Sequence, residues 1–353
     1  MYQTDKPYSF SCTAPGKVFL LGEYAVLKRL PAVILTVGPR FMLQAECHTS
    51  IFASAFTTDL VVEDWDSLKA DTVHPKTPLG RLMDWASYNG LPELKFRYNN
   101  PFANEGGFGL SSAEFVLAYW AFTQVSNWPK DCKEMLKLYR ELTSMPKIPP
   151  SGADVVAQWK GGVALVNLEN ETHEELWGVL DWSNFLVFSA SHQTDRKVKT
   201  HEHLEELSKK EFLNSKNLFF NELNKILAKG VQAILNKDYH GIGQAMNTYA
   251  DVLDKESLEL KVTHEDRLVL KSLPDVLGVK GCGAMQSDAV VVLVKPGSLK
   301  RAHIIEVAQK RGLKLICNGL TLQQGVCESE ETTWFEPAFA LKEQPISSHI
   351  KTT

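Results

Sequence analysis

Four short segments hold the residues whose types and spacing can do chemistry. In Ala14-Pro15-Gly16-Lys17-Val18-Phe19-Leu20-Leu21-Gly22-Glu23-Tyr24 a Pro-Gly turn sets Lys17 at the mouth of an apolar strand. A compact ammonium there can stabilise a transferring phosphoryl group; taken alone, the same turn suits an ordinary surface lysine. In Gly106-Gly107-Phe108-Gly109-Leu110-Ser111-Ser112-Ala113-Glu114 three glycines in four positions run into an apolar helix. Bare amides and the positive end of the helix dipole then converge on a place for an anion. Ser111 and Glu114 also have the spacing of a capping box, which accounts for those two residues but not for the glycines. In Pro150-Ser151-Gly152-Ala153-Asp154 a carboxylate stands at a helix start, as a capping partner or as a group that orients or deprotonates an acceptor hydroxyl. Gly278 to Asp288 (GVKGCGAMQSD) is a small-residue turn ahead of an apolar strand.

The elements that position these segments follow from periodicity. Short β-rich runs at Val18 to Leu21, Ala32 to Val37, Phe41 to Cys47 and Leu94 to Tyr98 predict a mixed or antiparallel sheet in the N-terminal part. Ser111 to Trp128 is apolar on nearly every side, as a helix buried against that sheet would be. Asp131 to Leu142 is amphipathic, and Pro146, Pro149 and Pro150 force a loop over 143–150. A short helix over Ala153 to Lys160 is stopped by Gly161 and Gly162, ahead of a strand from Val163 to Leu168. Then come a strand (Phe185 to Ala190), a polar loop (Ser191 to Thr200), long helices through about Leu253, a strand (Ala289 to Val294), a helix (Leu299 to Arg311) and a strand (Leu313 to Cys317). This order predicts an α+β sandwich.

Composition removes several function classes. The 353 residues carry 38 Lys plus Arg against 42 Asp plus Glu, a formal charge of -4, so no field draws nucleic acid or an anionic bilayer. The 44% hydrophobic content excludes disorder, and at roughly 100 to 200 residues per domain the length suggests two domains. The six cysteines never form a C-x-x-C pair, which leaves buried free thiols in a reducing compartment as the expectation. Neither a signal peptide nor a run of about 18 apolar residues is present, and the expected location is cytoplasmic.

Taken in order, the four segments resemble the motifs of the GHMP kinase superfamily: a P-G-K turn, a G-L-[GS]-S-S-A loop, an S-G-x-D segment and a K-x-x-G-A-G-G-G turn. APGKVFLLGEYAVL is similar to the mevalonate-pathway branch, phosphomevalonate kinases and mevalonate kinases. The resemblance implies a two-domain α+β fold, with a ribosomal-protein-S5-like domain over 1–180 and a ferredoxin-like domain over 181–353. It implies an ATP- and Mg²⁺-dependent kinase acting on a small acid, phosphomevalonate or mevalonate, as a monomer or homodimer. The alternatives are another small alcohol or sugar, or a non-catalytic nucleotide or metabolite binder.

Residue by residue, the resemblance gives Asp154 and Lys17 as catalytic. Gly106, Gly107, Gly109, Ser111 and Ser112 would hold the nucleotide, while Ser111, Ser112 and Glu141 would serve the metal. Glu23, Arg196 and Lys197 would meet the acidic substrate. Two departures stand out: the loop reads F-G-L-S-S, and Met285 and Gln286 occupy two glycine positions of the last motif.

Overall fold

The computed structural model describes residues 8–47, 61–63, 70–72, 77–102, 105–144, 151–190, 198, 202–203, 206–207 and 217–329. β1 (Tyr8–Leu21) and β2 (Ala32–Cys47) make a long antiparallel pair. The two strands expected over 32–47 are one. The register slips between Pro15 and Gly16, where Arg40 and then Val37 are the partners, so Gly38 and Pro39 are bulged out of a strand that continues past them. Pro15 and Gly16 therefore sit inside β1 at a bulge rather than in a turn, and Lys17 projects from a strand interior.

A ribbon of β3 (Val61–Glu63) and β4 (Ala70–Thr72) precedes α1 (Pro78–Tyr88), a helix that the periodicity reading left out. β5 (Leu94–Asn99) pairs with β2, as does β6 (Val163–Asn167), which is followed by β7 (Thr172–Glu175). Between them run α2 (Leu110–Val125), α3 (Cys132–Thr143) and α4 (Ala153–Lys160). Helix α2 buries Phe115, Val116, Leu117, Tyr119, Trp120 and Phe122, so it is a core helix without a wet face, as its uniform apolarity demands.

A second sheet, in the order β11 (Lys314–Asn318), β8 (Phe185–Ser189), β10 (Ala289–Val294), β9 (Val276–Cys282), is antiparallel throughout. The unbroken apolar run Ala289–Val294 has both faces covered. Val291 and Leu293 join the main core, while Val290, Val292 and Val294 pack with Leu270 and Ile304 of α7 (Lys261–Lys271) and α8 (Arg301–Lys310) in a separate cluster. The expected long helical stretch is a hairpin of α5 (Asn217–Leu235) and α6 (Tyr239–Lys255), divided by Asp238, whose side chain caps α6 at Gly241 N (3.0 Å). The chain then returns to the first sheet, where β12 (Cys327–Glu328) pairs with β1.

Gly278 to Cys282, read as part of a turn, belong to β9; only 283–288 turn. The reason is close packing rather than flexibility. A Cβ on Gly278 would stand 2.7 Å from Gly243 Cα, and one on Gly243 would overlap the Leu277 carbonyl, so α6 rides on β9 at backbone contact. Gly243→Ala should therefore lower stability by about 1–3 kcal/mol through overpacking. Urea unfolding checks this as a lower midpoint at an unchanged m-value.

Candidate active site

The loop ahead of α2 is fixed through backbone groups. Gly109, at φ 86°, is the N-cap of α2. Its carbonyl accepts from Ala113 N (2.8 Å), Ser112 Oγ (2.9 Å) and Gln158 Nε2 (3.1 Å), and Gln158 also reaches Pro15 O (2.9 Å). Lys17 N donates to Phe108 O (3.0 Å), while the Lys17 ammonium reaches Gly107 O (3.4 Å) and lies 5.1 Å from the Phe19 ring centroid. Phe108 stacks on Phe102 with centroids 4.4 Å apart, pinning the loop to the core. A Cβ on Gly109 would lie 2.9 Å from Lys17 Cγ and Cε. Glycine is required there for the lysine to lie along the loop.

Neither expected capping box forms. The N-cap of α2 is Gly109 and that of α4 is Gly152, both left-handed and neither supplying a side chain. By contrast Thr77 and Asp131 cap α1 and α3 with side-chain oxygens. Ser111 stands exposed at the mouth of α2, and Ser112 is buried with its hydroxyl turned back to Gly109. The uncapped amides of α2, Lys17 beside them and Ser111 at the rim together fit a phosphate group. Glu114, instead of capping, is withdrawn into the protein, and burial pushes its pKa up to about 7.

Asp154 begins α4 one turn ahead of Gln158 and on the same face, so the helix that grips Gly109 also presents this carboxylate. Its Oδ1 accepts from Val155 N (3.1 Å) and, among the described residues, it forms no ion pair with Lys17. The structure thus brings Lys17, Gly107, Gly109 and Ser112 together and sets Asp154 on the adjoining helix face. Glu141 is exposed in the last turn of α3 and, among the described residues, makes no hydrogen bond or ion pair with the loop. Ser111 is then the free hydroxyl that fits a metal-bound phosphate. Arg196 and Lys197 lie outside the described residues.

No family model matches the sequence, and no curated protein does. Solved structures match over nearly the whole chain. The Lin0012 protein from Listeria innocua is 16% identical at a TM-score of 0.70, covering 92% of this chain and 100% of that one. The phosphomevalonate kinase of Streptococcus pneumoniae gives 14% and 0.67, over 91% and 99%. The mevalonate kinase of Methanococcus jannaschii gives 18% and 0.62, over 89% and 98%. The chain has the GHMP kinase fold. At these identities the likeness is one of architecture.

The turn after β9, on the second sheet, carries Met285 and Gln286. Met285 (φ 54°) and Gln286 (φ 57°) hold the left-handed backbone that glycine would adopt freely. Each pays roughly 1 kcal/mol or more for doing so, and the turn persists because its neighbours determine it. Met285 N donates to Tyr24 Oη (2.9 Å), and Gln286 Nε2 donates to Glu23 Oε1 (3.0 Å). Glu23 Oε1 also accepts from the fully buried Lys280 ammonium, which donates to Gly281 O (2.8 Å) as well. Glu23 Oε2 is buried without a hydrogen-bond partner.

Sequence reasoning left Gln158, Lys280 and Asp288 out of the site. The i, i+4 relation to Asp154 is the signal for Gln158; Lys280 and Asp288 stand in the fourth segment, Lys280 at the lysine of its pattern, and what they pair with or pack against is set by distant contacts.

Two outcomes follow from these burials. Lys280→Met leaves Glu23 an uncompensated buried charge and should cost about 3–5 kcal/mol in denaturant unfolding. Glu114 holds a proton in the folded chain that the unfolded chain, titrating near 4.5, has already released, so stability falls as pH rises through that interval. Glu114→Gln should raise the thermal midpoint at about pH 8 and leave it unchanged at about pH 4, below both values.

Proposed function

We propose that the protein is an ATP-dependent small-molecule kinase of the mevalonate branch, with phosphomevalonate the favoured acceptor and mevalonate the second. The observation that carries this is the joint placement of the Lys17 ammonium, the uncapped start of α2 and the Asp154 face of α4 around the Gly109 carbonyl. When bound, ATP supplies the terminal phosphoryl group. The amides at the start of α2 hold its phosphates, and Ser111 offers a hydroxyl toward the metal that accompanies them.

Lys17, fixed by the loop on one side and Phe19 on the other, neutralises charge on the phosphoryl oxygens as it builds in the transition state. Asp154 serves the acceptor. For an alcohol it takes the hydroxyl proton; for a phosphate acceptor, already ionised, it orients the attacking oxygen and balances the lysine. Glu23 acts through the Lys280 pair, by holding the last motif in register with β1. Arg196 and Lys197 are the cations proposed to hold the acidic substrate. The left-handed turn at Met285 and Gln286 is held in one shape by Tyr24 and Glu23. A second reading, a sugar kinase, has in its favour that a galactokinase from Lactococcus lactis shares the fold at a TM-score of 0.65.

Turnover with a panel of phosphomevalonate, mevalonate, galactose and homoserine decides among acceptors. Asp154→Asn should abolish transfer while nucleotide binding persists. Lys17→Met should lower kcat far more than it weakens nucleotide affinity, as expected of a charge acting in the transition state. Tight nucleotide binding without turnover on any acceptor would replace the kinase by a sensor, and equal losses in kcat and affinity would remove Lys17 from the chemical step.

A further inference from the structure

The glycine loop and the turn after β9 meet at a carboxylate that has no role in the reaction proposed above. Asp288 is 8% exposed. A Cβ on Gly106 would stand 2.7 Å from Asp288 Oδ1, and one on Gly107 or on Gly283 would overlap the Asp288 side chain. Three glycines, two from the loop and one from the turn, therefore make room for this one group. Its own hydrogen bonds are few: Ser287 Oγ at 3.3 Å and the backbone of Ala284.

The charged groups around it are committed to other partners. Lys17, from β1, is directed to the Gly107 carbonyl. Lys280, from β9, is held by Glu23. Lys314, from β11, is paired with Glu105 at the foot of the loop. The Tyr24 hydroxyl and the Cys282 thiol are both kept protonated by burial, the latter with its pKa pushed up to about 12. Burial outweighs the attraction of Lys17 at Asp288 as well, and its pKa is raised to about 6.

We infer that Asp288 is the proton-linked counter-charge of the phosphate cradle: in the empty protein its carboxylate faces Lys17 and the glycine loop, and a bound polyphosphate draws a proton from solvent onto it. The inference rests on the reading of residues 106–112 as a nucleotide site. Phosphates arriving beside a buried carboxylate bring like charge and compete for the Lys17 ammonium that it faces, so the neutral acid becomes the favoured form. The loop that accepts the phosphates is packed directly on the group that must lose its charge, so no conformational relay is needed to couple the two.

Calorimetric titration of the full chain with the ATP analogue AMP-PNP and Mg²⁺, in two buffers of different ionisation enthalpy, counts the protons taken up. The nucleotide's own terminal phosphate titrates in the same range but contributes equally to wild type and variant. Wild type should take up more protons near neutral pH than Asp288→Asn. Its affinity should also fall more steeply above about pH 6, by up to about tenfold per unit. The variant should bind more tightly at about pH 8 and equally at about pH 5, where Asp288 already carries its proton. If the Asn variant fails to fold, Asp288→Ser keeps the space and removes the charge.

Equal proton uptake by wild type and variant overturns the inference while leaving the nucleotide site in place. Weaker Mg²⁺-dependent binding by the variant also overturns it, and would make the carboxylate a holder of cations. Absence of binding by both proteins sinks the nucleotide reading itself, and the inference with it.

Discussion

The carbonyl of Gly109 is the point on which the site depends. It closes the first turn of α2 through Ala113, receives the Ser112 hydroxyl and is gripped by Gln158 from α4. An acceptor with that many donors is fixed in direction, and fixing it aims the unpaired amides of α2 outward. The same Gln158 amide reaches Pro15 at the bulge in β1, so strand, loop and both helices share a single hydrogen-bonding side chain. The Lys17 side chain is stationed by this arrangement, because its own backbone amide is bound to Phe108, two residues before α2 begins.

Buried charge joins the two sheets. The Glu23 and Lys280 pair crosses from the end of β1 to β9 and brings Gln286 with it. Such pairs add little net stability compared with apolar packing, since desolvation cancels most of the attraction, but they tolerate few alternative alignments. A second set, Arg267 with Glu259 and Asp251, ties α7 to α6 and to the segment between them. His264 and Asp254 stand beside it, and the Arg267 guanidinium already satisfies the Glu259 carboxylate that a cation there would need.

Much of this was legible in the sequence where the determinants are local. The all-round apolarity of α2, the Gly161 stop after α4 and the glycine run ahead of Ser111 each specify their structure through neighbours along the chain. What escaped was set by contact at a distance. Pro15 and Gly16 look like a turn and lie in a strand, because the partner strand absorbs the irregularity as a bulge. Gly278 and Gly281 look flexible and lie in β9, because a helix and a turn press on them. Ser111 and Glu114 have capping-box spacing, yet the helix begins at Leu110, ahead of the serine, and the glutamate turns inward. Asp288 closes the last of the four segments in the sequence, but the three glycines that yield space to it come from segments far apart in the chain.

The return of the chain to its starting sheet has a mechanical meaning. Arg40, on β2, donates to the carbonyls of Thr13, Gln324 and Gly325, stitching the closing segment to the strand pair where the chain began. The second sheet is thus tied to the first by two covalent crossings, one before β8 and one after β11, in addition to the shared core and the Glu23–Lys280 pair. Parting the two sheets would therefore expose Val291 and Leu293 and strip Lys280 from Glu23.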